Sequence, residues 1–302
     1  MPIEVSVVIP TYNRLATLRE VIPSLLRSDV RPDSMEIVVA DSRSTDGTGD
    51  YLAGVAAQHP NVRHLPGAYT GRAMARNAGI DAARGRVVLF TDADIIASPD
   101  LVSRHLVHHA ADRPVAVVGM EVQVSSLDDY ERKRAHPLLR APLHGERPKR
   151  LSWLYFLTGN ASVRRSDLLD VGAFDEAFTG YGHEDLELGY RLQRAGIPIV
   201  YEPRAVDYHW HPVPYEEQKQ KMELAGRSTV RFYRKHPDFA VKARLGMTPV
   251  SLGLHGALQK APALVGRLES AAGRNDGFAR SVVLQYHYVS GIKAALAEVA
   301  GA

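Results

Sequence analysis

Three groups of residues have the types and spacing to do chemistry. Asp92-Ala93-Asp94 follows the apolar run Arg86-Val87-Val88-Leu89-Phe90. Two carboxylates two residues apart at a strand end can both approach one Mg2+ or Mn2+, directly or through water. These ions take oxygen ligands and share their sphere with substrate phosphates. An ion held there would neutralise a departing diphosphate. The bland alternative is a pair of turn-forming aspartates. The second group is Gly180-Tyr181-Gly182-His183-Glu184-Asp185-Leu186-Glu187. Its glycines let backbone approach a ligand closely, and its acids open a helix. Acids also favour helix N-termini for capping and dipole reasons alone. Glu187 and Arg191 form an i, i+4 pair of structural type. A carboxylate at this mouth can take a proton from an attacking hydroxyl. The third group is Val206-Asp207-Tyr208-His209-Trp210-His211. Strand alternation points His209 and His211 the same way, so either imidazole can complete a metal sphere beside the Asp pair. His105, His108 and His109 fall at helical spacing and read as a helix face.

Two more polar clusters, Pro10-Thr11-Tyr12-Asn13 and Asp41-Ser42-Arg43-Ser44-Thr45-Asp46-Gly47-Thr48, each follow a short β-branched run. Neither is a glycine-rich phosphate loop, so a nucleotide must be held differently. The Tyr12 ring can stack on a base, Asp41 can accept from a base N–H, and a divalent ion can take the phosphates.

The elements that must position these residues alternate through the first 120 residues. Strands are expected at 5–9, 36–40, 61–65, 86–90 and 115–118, with helices at 14–27, 47–57, 71–83 and 99–111. This alternation predicts right-handed crossovers and a parallel sheet, whose ligands bind beyond the carboxyl ends of its strands. Residues 125–150, rich in charge and proline, read as a mobile loop or lid whose basic residues can clamp a phosphate. Structured signals return at 153–157, then a helix at 184–194, strands at 198–201 and 205–209, and a helix at 215–236. Two amphipathic stretches, 250–271 and 277–299, follow.

The 302 residues are 45% hydrophobic and 24% charged, an ordinary globular balance that excludes collagen-like or wholly disordered chains. No cysteine is present, so any metal must be held by Asp, Glu or His. The net charge of +3 is too mild to point to nucleic acid. Residues 241–302 carry seven basic and three acidic groups, a net +4, which leaves the preceding 240 residues near neutral at −1. No apolar run approaches the ~18 residues of a membrane span. The expectation is a cytoplasmic protein, with peripheral contact at the inner membrane face as the alternative.

In this order, the blocks resemble the family 2 glycosyltransferases of the GT-A fold. The resemblance covers roughly residues 3–235. It rests on VSVVIPTYNR (5–14), VVADSRSTDGT (38–48), GRAMARNAGIDAARG (71–85), VVLFTDADI (87–95), LTGNASVRRSDLLDVGAFDEAF (157–178), GYGHEDLELGYRL (180–192) and the histidine of VDYHWH (206–211). It implies an α/β fold with a Rossmann-like, mostly parallel central sheet flanked by helices. It also implies a catalytic domain over 1–240, divided into a nucleotide-binding half (1–120) and an acceptor half (121–240), with a helical extension over 241–302. It assigns Pro10, Thr11, Tyr12 and Asp41 to base and ribose, and Arg76 to the base or diphosphate. Asp92 is assigned to ribose or a metal-bound water, Asp94 to the metal, and His209 to the same ion, with His211 less favoured. Asp185 resembles the general base and Glu184 an acceptor contact. The implied reaction is metal-dependent (Mn2+ or Mg2+) transfer from a nucleotide-sugar, a UDP-sugar favoured, to a saccharide, lipid-linked or small-molecule acceptor with inversion. Alternatives are a retaining enzyme, a non-catalytic binding protein on the same fold, and an assembly subunit using the C-terminal helices for membrane contact or homo-oligomer formation. Ser42 and Arg43 depart from the family's usual second block, and no family motif is recognisable beyond about residue 240.

Overall fold

The computed structural model describes all residues except 1, 112, 141–144, 146, 275, 301 and 302. Two compact units are formed, one of Met1–Thr179 with Glu184–Pro212, the other of Gly180–His183 with Val213–Ala302.

The first unit opens with β1 (Val5–Thr11), α1 (Leu15–Leu26), β2 (Met35–Asp41), α2 (Thr48–Gln58), β3 (Val62–Pro66), α3 (Arg72–Ala82) and β4 (Val87–Thr91). These strands pair in parallel in the order β3-β2-β1-β4. Every residue of β1, β2 and β4 is buried, the pattern of strands covered on both faces. Val5, Val7 and Ile9 share a core with Leu18, Val21, Ile22 and Leu25, which form the apolar stripe of α1. On α3, Gly79 lies against Val8, where a Cβ would come within 2.3 Å of Val8 Cγ1.

The unit continues with β5 (Ile95–Ala97), α4 (Leu101–His108), β6 (Ala116–Gln123), α5 (Leu127–Ala135), β7 (Lys149–Leu151), β8 (Asn160–Arg164), α6 (Arg165–Asp170), α7 (Glu184–Arg194) and β9 (Ile199–His209). Here the sheet is mixed. β8 is antiparallel between β4 and β6, β9 runs parallel to β6, and β5 and β7 pair antiparallel with β9. Strand β8 escapes a hydrophobicity reading because its polar side chains face buried histidines. His105 reaches Ser162 Oγ at 2.8 Å and Asn160 Oδ1 at 2.7 Å, and His109 reaches Ser162 Oγ at 2.8 Å. Burial pulls His105 down to about 4 and His109 to about 3, so both are neutral core residues. The two strands expected at 198–201 and 205–209 are one, β9, with a register shift opposite Gly119 and Met120 that absorbs Pro203.

The lid expected at 125–150 requires a correction. Residues 127–135 form α5, followed by a 3-10 turn at Pro137–Leu139 and by β7. Ser126 caps α5 by accepting from Asp129 N at 3.1 Å, and Asp129 pairs with Arg132 at 2.6 Å and Lys133 at 3.2 Å. The charge run that suggests a solvated loop is the helix's own set of caps and ion pairs. Residues 141–144 and 146 of that stretch lie outside the described residues.

The second unit contains α8 (Tyr215–Lys235), α9 (Phe239–Arg244), α10 (Pro249–Gln259), α11 (Pro262–Gly273) and α12 (Gly277–Ala300). The single stretch expected at 250–271 is thus two helices, because Pro262 starts a new one at its first turn. Among the described residues, no helix is long and apolar enough to cross a membrane. Helices α8 and α12 meet at two glycines. A Cβ on Gly226 would lie 1.9 Å from Tyr288 O, and one on Gly291 would lie 2.0 Å from Glu223 O. Gly291→Ala should therefore force the helices apart at a cost of about 1–3 kcal/mol. Gly253→Ala on α10, where a Cβ meets nothing within 4 Å, should instead stabilise slightly. Thermal denaturation of the two variants reads the opposite signs; a Gly291→Ala midpoint at or above wild type contradicts the tight crossing.

Candidate active site

The site is built where β1, β2 and β4 end. The β1 and β2 exits are tied together. Asn13 N donates to Ser44 Oγ at 2.8 Å, Thr45 N donates to Asn13 Oδ1 at 2.8 Å, and Leu15 N donates to Asp46 Oδ2 at 3.0 Å. Asn13 and Arg43 adopt left-handed φ values of 50° and 58° to make these turns. Pro10, Thr11 and Asp41 are buried in this platform, and the Tyr12 ring stands 59% exposed above it. Asp41 Oδ1 accepts from Ser44 N at 3.2 Å, and its Oδ2 lies 3.4 Å from His64 Nε2.

At the β4 exit, Arg76 joins three sequence blocks. It is buried on α3, 2% exposed, and donates from Nη2 to Asp92 Oδ1 at 2.8 Å and from Nη1 to Glu184 Oε1 at 3.0 Å. Its guanidinium also lies 5.6 Å from the Phe174 ring centroid. Sequence comparison alone assigns Arg76 to the nucleotide; its contacts with Asp92 and Glu184 were not legible there. Glu184 Oε2 is buried without a hydrogen-bond partner among the described residues. Asp185, the second residue of α7, lies beside it and accepts from Leu186 N at 2.8 Å. Removal from water, then the Glu184 carboxylate, push Asp185 up to about 7, against the pull of Arg76. Glu187, fully buried, holds Arg191 at 2.7 Å and is structural, as its spacing predicts.

On the other side of the β4 exit, Asp94 Oδ1 lies 3.5 Å from His209 Nε2, and Asp94 Oδ2 lies 3.9 Å from both His211 Nδ1 and Arg14 Nη2. Burial raises the Asp94 carboxyl, but the His209 hydrogen bond and charge, then Arg14 and His211, hold it below its ordinary value. Burial pulls His209 down, yet Asp94 and Glu121 outweigh this and push it up to about 10. Glu121 Oε1 is 3.4 Å from His209 Nδ1. Arg14 and Glu121 are site residues that sequence reasoning missed. Arg14 closes a quoted block without a role, and Glu121 becomes visible only through the register of β6 on β9. Among the described residues, no three His, Asp or Glu side chains group to hold an ion.

The chain is similar to known proteins. Residues 6–172 match the family model described as glycosyl transferase family 2, and residues 146–210 match one described as the N-terminal domain of galactosyltransferase. The validoxylamine A glucosyltransferase of Streptomyces hygroscopicus subsp. limoneus is 30% identical over 287 residues, covering 84% of this chain and 61% of that protein. The chain thus spans about three fifths of that relative's length. The mannosyltransferase PcManGT from Pyrobaculum calidifontis, solved with GDP-Man and Mn2+, superposes with a TM-score of 0.67 at 21% identity, covering 98% of this chain and 89% of that one. GalNAc-T7, solved with UDP, GalNAc and Mn2+, gives a TM-score of 0.58 at 17% identity over 74% of this chain and 47% of that one. At these identities the two structures speak for the fold, which is that of GT-A enzymes. With more than half of its length matched by the family model, and with the β4 and α7 carboxylates at the ends of such a sheet, the chain belongs to the family 2 glycosyltransferases.

Proposed function

We propose that this chain transfers a sugar from a nucleotide-sugar to an acceptor hydroxyl, with Asp185 as general base. The observation that carries this reading is the position of Asp185. It is the second residue of α7, next to a buried Glu184 that Arg76 links to Asp92 at the donor end of the sheet. An acceptor hydroxyl has a pKa far above neutrality and attacks poorly without a base. Burial and the neighbouring Glu184 carboxylate hold the Asp185 carboxyl above its ordinary range, so once ionised it takes up a proton readily. Glu184 Oε2, unpaired and facing the same helix start, supplies an acceptor for a second sugar hydroxyl. The exposed Tyr12 ring suits a base, and Thr11 and Asp41 line the same strand ends. A single base on the acceptor side fits one in-line displacement, hence inversion, which NMR of the product's anomeric centre tests.

The donor set at Asp94 fits a divalent ion shared with substrate. One carboxylate and one imidazole 3.5 Å apart suit Mn2+ or Mg2+ provided that the ion displaces the His209 proton, and so small a protein set leaves room for diphosphate oxygens and water. Asp94 and His209 would hold the ion, with Asp92 through water. When bound, it supplies positive charge that stabilises the leaving diphosphate. The Mn2+ in the PcManGT and GalNAc-T7 structures supports this reading. UDP in the GalNAc-T7 structure favours a UDP-sugar, and GDP-Man in the other keeps guanosine donors in the panel. Thermal-shift screening of nucleotide-sugars with Mn2+ should find one that raises the melting temperature through linkage. In calorimetry, Asp94→Ala should abolish the Mn2+-dependent part of that binding. Unchanged Mn2+-dependent binding contradicts the assignment.

A further inference from the structure

The four residues ahead of the paired acids do not group with the body of the protein. Gly180–His183 belongs to the second unit with Val213–Ala302, and the chain re-enters the first unit at Glu184. The turn is conformationally demanding. Gly182 and His183 are successive left-handed residues at φ 87° and 74°. For histidine that conformation costs roughly 1–2 kcal/mol, so neighbouring contacts must hold it.

Those contacts come from α8 and α12. His183 Nε2 lies 2.7 Å from Thr229 Oγ1 and 3.3 Å from Tyr288 Oη. Thr229 Oγ1 and Tyr288 Oη are 2.5 Å apart, and Tyr288 donates to Leu245 O at 3.1 Å. Thr229 Oγ1 also donates to Ala225 O at 3.2 Å, and either hydroxyl can be the donor across the Thr229–Tyr288 contact. The network thus joins His183 to two hydroxyls and ends on the backbone carbonyls of Ala225 and Leu245. A second tether runs from Ser228 Oγ to Tyr181 O at 3.1 Å. The glycine at 226 makes the arrangement possible, since α12 presses its Tyr288 carbonyl against that position, one turn before Thr229. Burial lowers His183 to about 4, so the ring stays neutral and its single N–H is free to be the donor.

We propose that His183 is a positioning residue, through which Thr229 and Tyr288 of the C-terminal helices set the turn that presents Glu184 and Asp185. The helical tail then has a part in catalysis without touching substrate, through one peptide bond to Glu184 and two to Asp185. The proposal rests on Asp185 as the base, so its test needs a readout that does not.

Tyr288→Phe and Thr229→Val each remove one hydroxyl from the full chain. Amide hydrogen exchange over residues 181–186 should speed up about tenfold in both, with the sheet amides unchanged. In turnover assays kcat should fall about tenfold while the donor KM stays within twofold. His183→Gln, which keeps a donor at a similar reach, should retain more kcat than His183→Leu. Unchanged exchange at 181–186 overturns the proposal, and so does faster exchange with undiminished kcat. If Asp185→Asn keeps full turnover, the base assignment fails instead, and the exchange result still decides whether the hydroxyl chain holds the turn.

Discussion

Asp185→Asn is expected to fold normally and to lose at least about 100-fold in transfer rate, the lower end of what general-base assistance contributes. Asn keeps the shape and the contact to Leu186 N but cannot take a proton. The pH dependence gives a second reading of the same residue. The base works ionised, and burial with the Glu184 charge pushes Asp185 up to about 7. Wild-type kcat/KM should therefore fall as pH drops through about 7, and the variant's residual rate should lack that limb. The stability sign is the reverse of the usual carboxylate case. The folded state holds the Asp185 proton more tightly than the unfolded chain does, so ionisation costs stability as pH rises from the ordinary carboxylate range through about 7. Asp185→Asn has no such charge to bury, so at pH 8 it should melt no lower than wild type. A variant that is inactive because it is unfolded would contradict this.

Arg76→Met is expected to be the most damaging single substitution at the site. It leaves the Asp92 carboxylate and the buried Glu184 carboxylate facing each other's region with no cation between them. Removing one partner from a buried ion pair costs about 3–5 kcal/mol, because the remaining charge stays desolvated. Urea denaturation should show a loss of this size. Arg76→Lys keeps the charge but lacks the planar fork that reaches both carboxylates, and should fall between. Arg76 also draws Asp185 down, so in any variant that folds the acidic limb of kcat/KM should move to higher pH. A loss below about 1 kcal/mol would show that Arg76 does not bridge the two motifs in solution.

What the sequence disclosed follows from how local each signal is. Helix α7 is read at 184–194 and found at Glu184–Arg194, because acids at its start and the Leu188–Leu192 face are contiguous signals. The first four strands are legible as β-branched runs. Strand β8 is not, since Asn160 and Ser162 are polar and their burial depends on His105 and His109, more than fifty residues away. Helix α5 was hidden by its own ion pairs. The Arg76–Glu184 bond spans 108 residues of sequence, and no spacing rule reaches that far. Asp92 and Asp94 follow a strand and Glu184 and Asp185 open a helix, contiguous signals that can be read by type, whereas the neighbours Arg14 and Glu121 come from register and packing.

In the proposed reaction this site breaks the bond between a sugar and a nucleoside diphosphate with Asp185 as base. Nucleoside diphosphate release is the most direct measure of it, followed over a panel of nucleotide-sugars with Mn2+ and a mixed pool of acceptors. Wild type should release diphosphate from one donor, and Asp185→Asn should release it at least about 100-fold more slowly while still binding that donor. A donor that binds wild type without release, or equal release by the two proteins, would contradict the account.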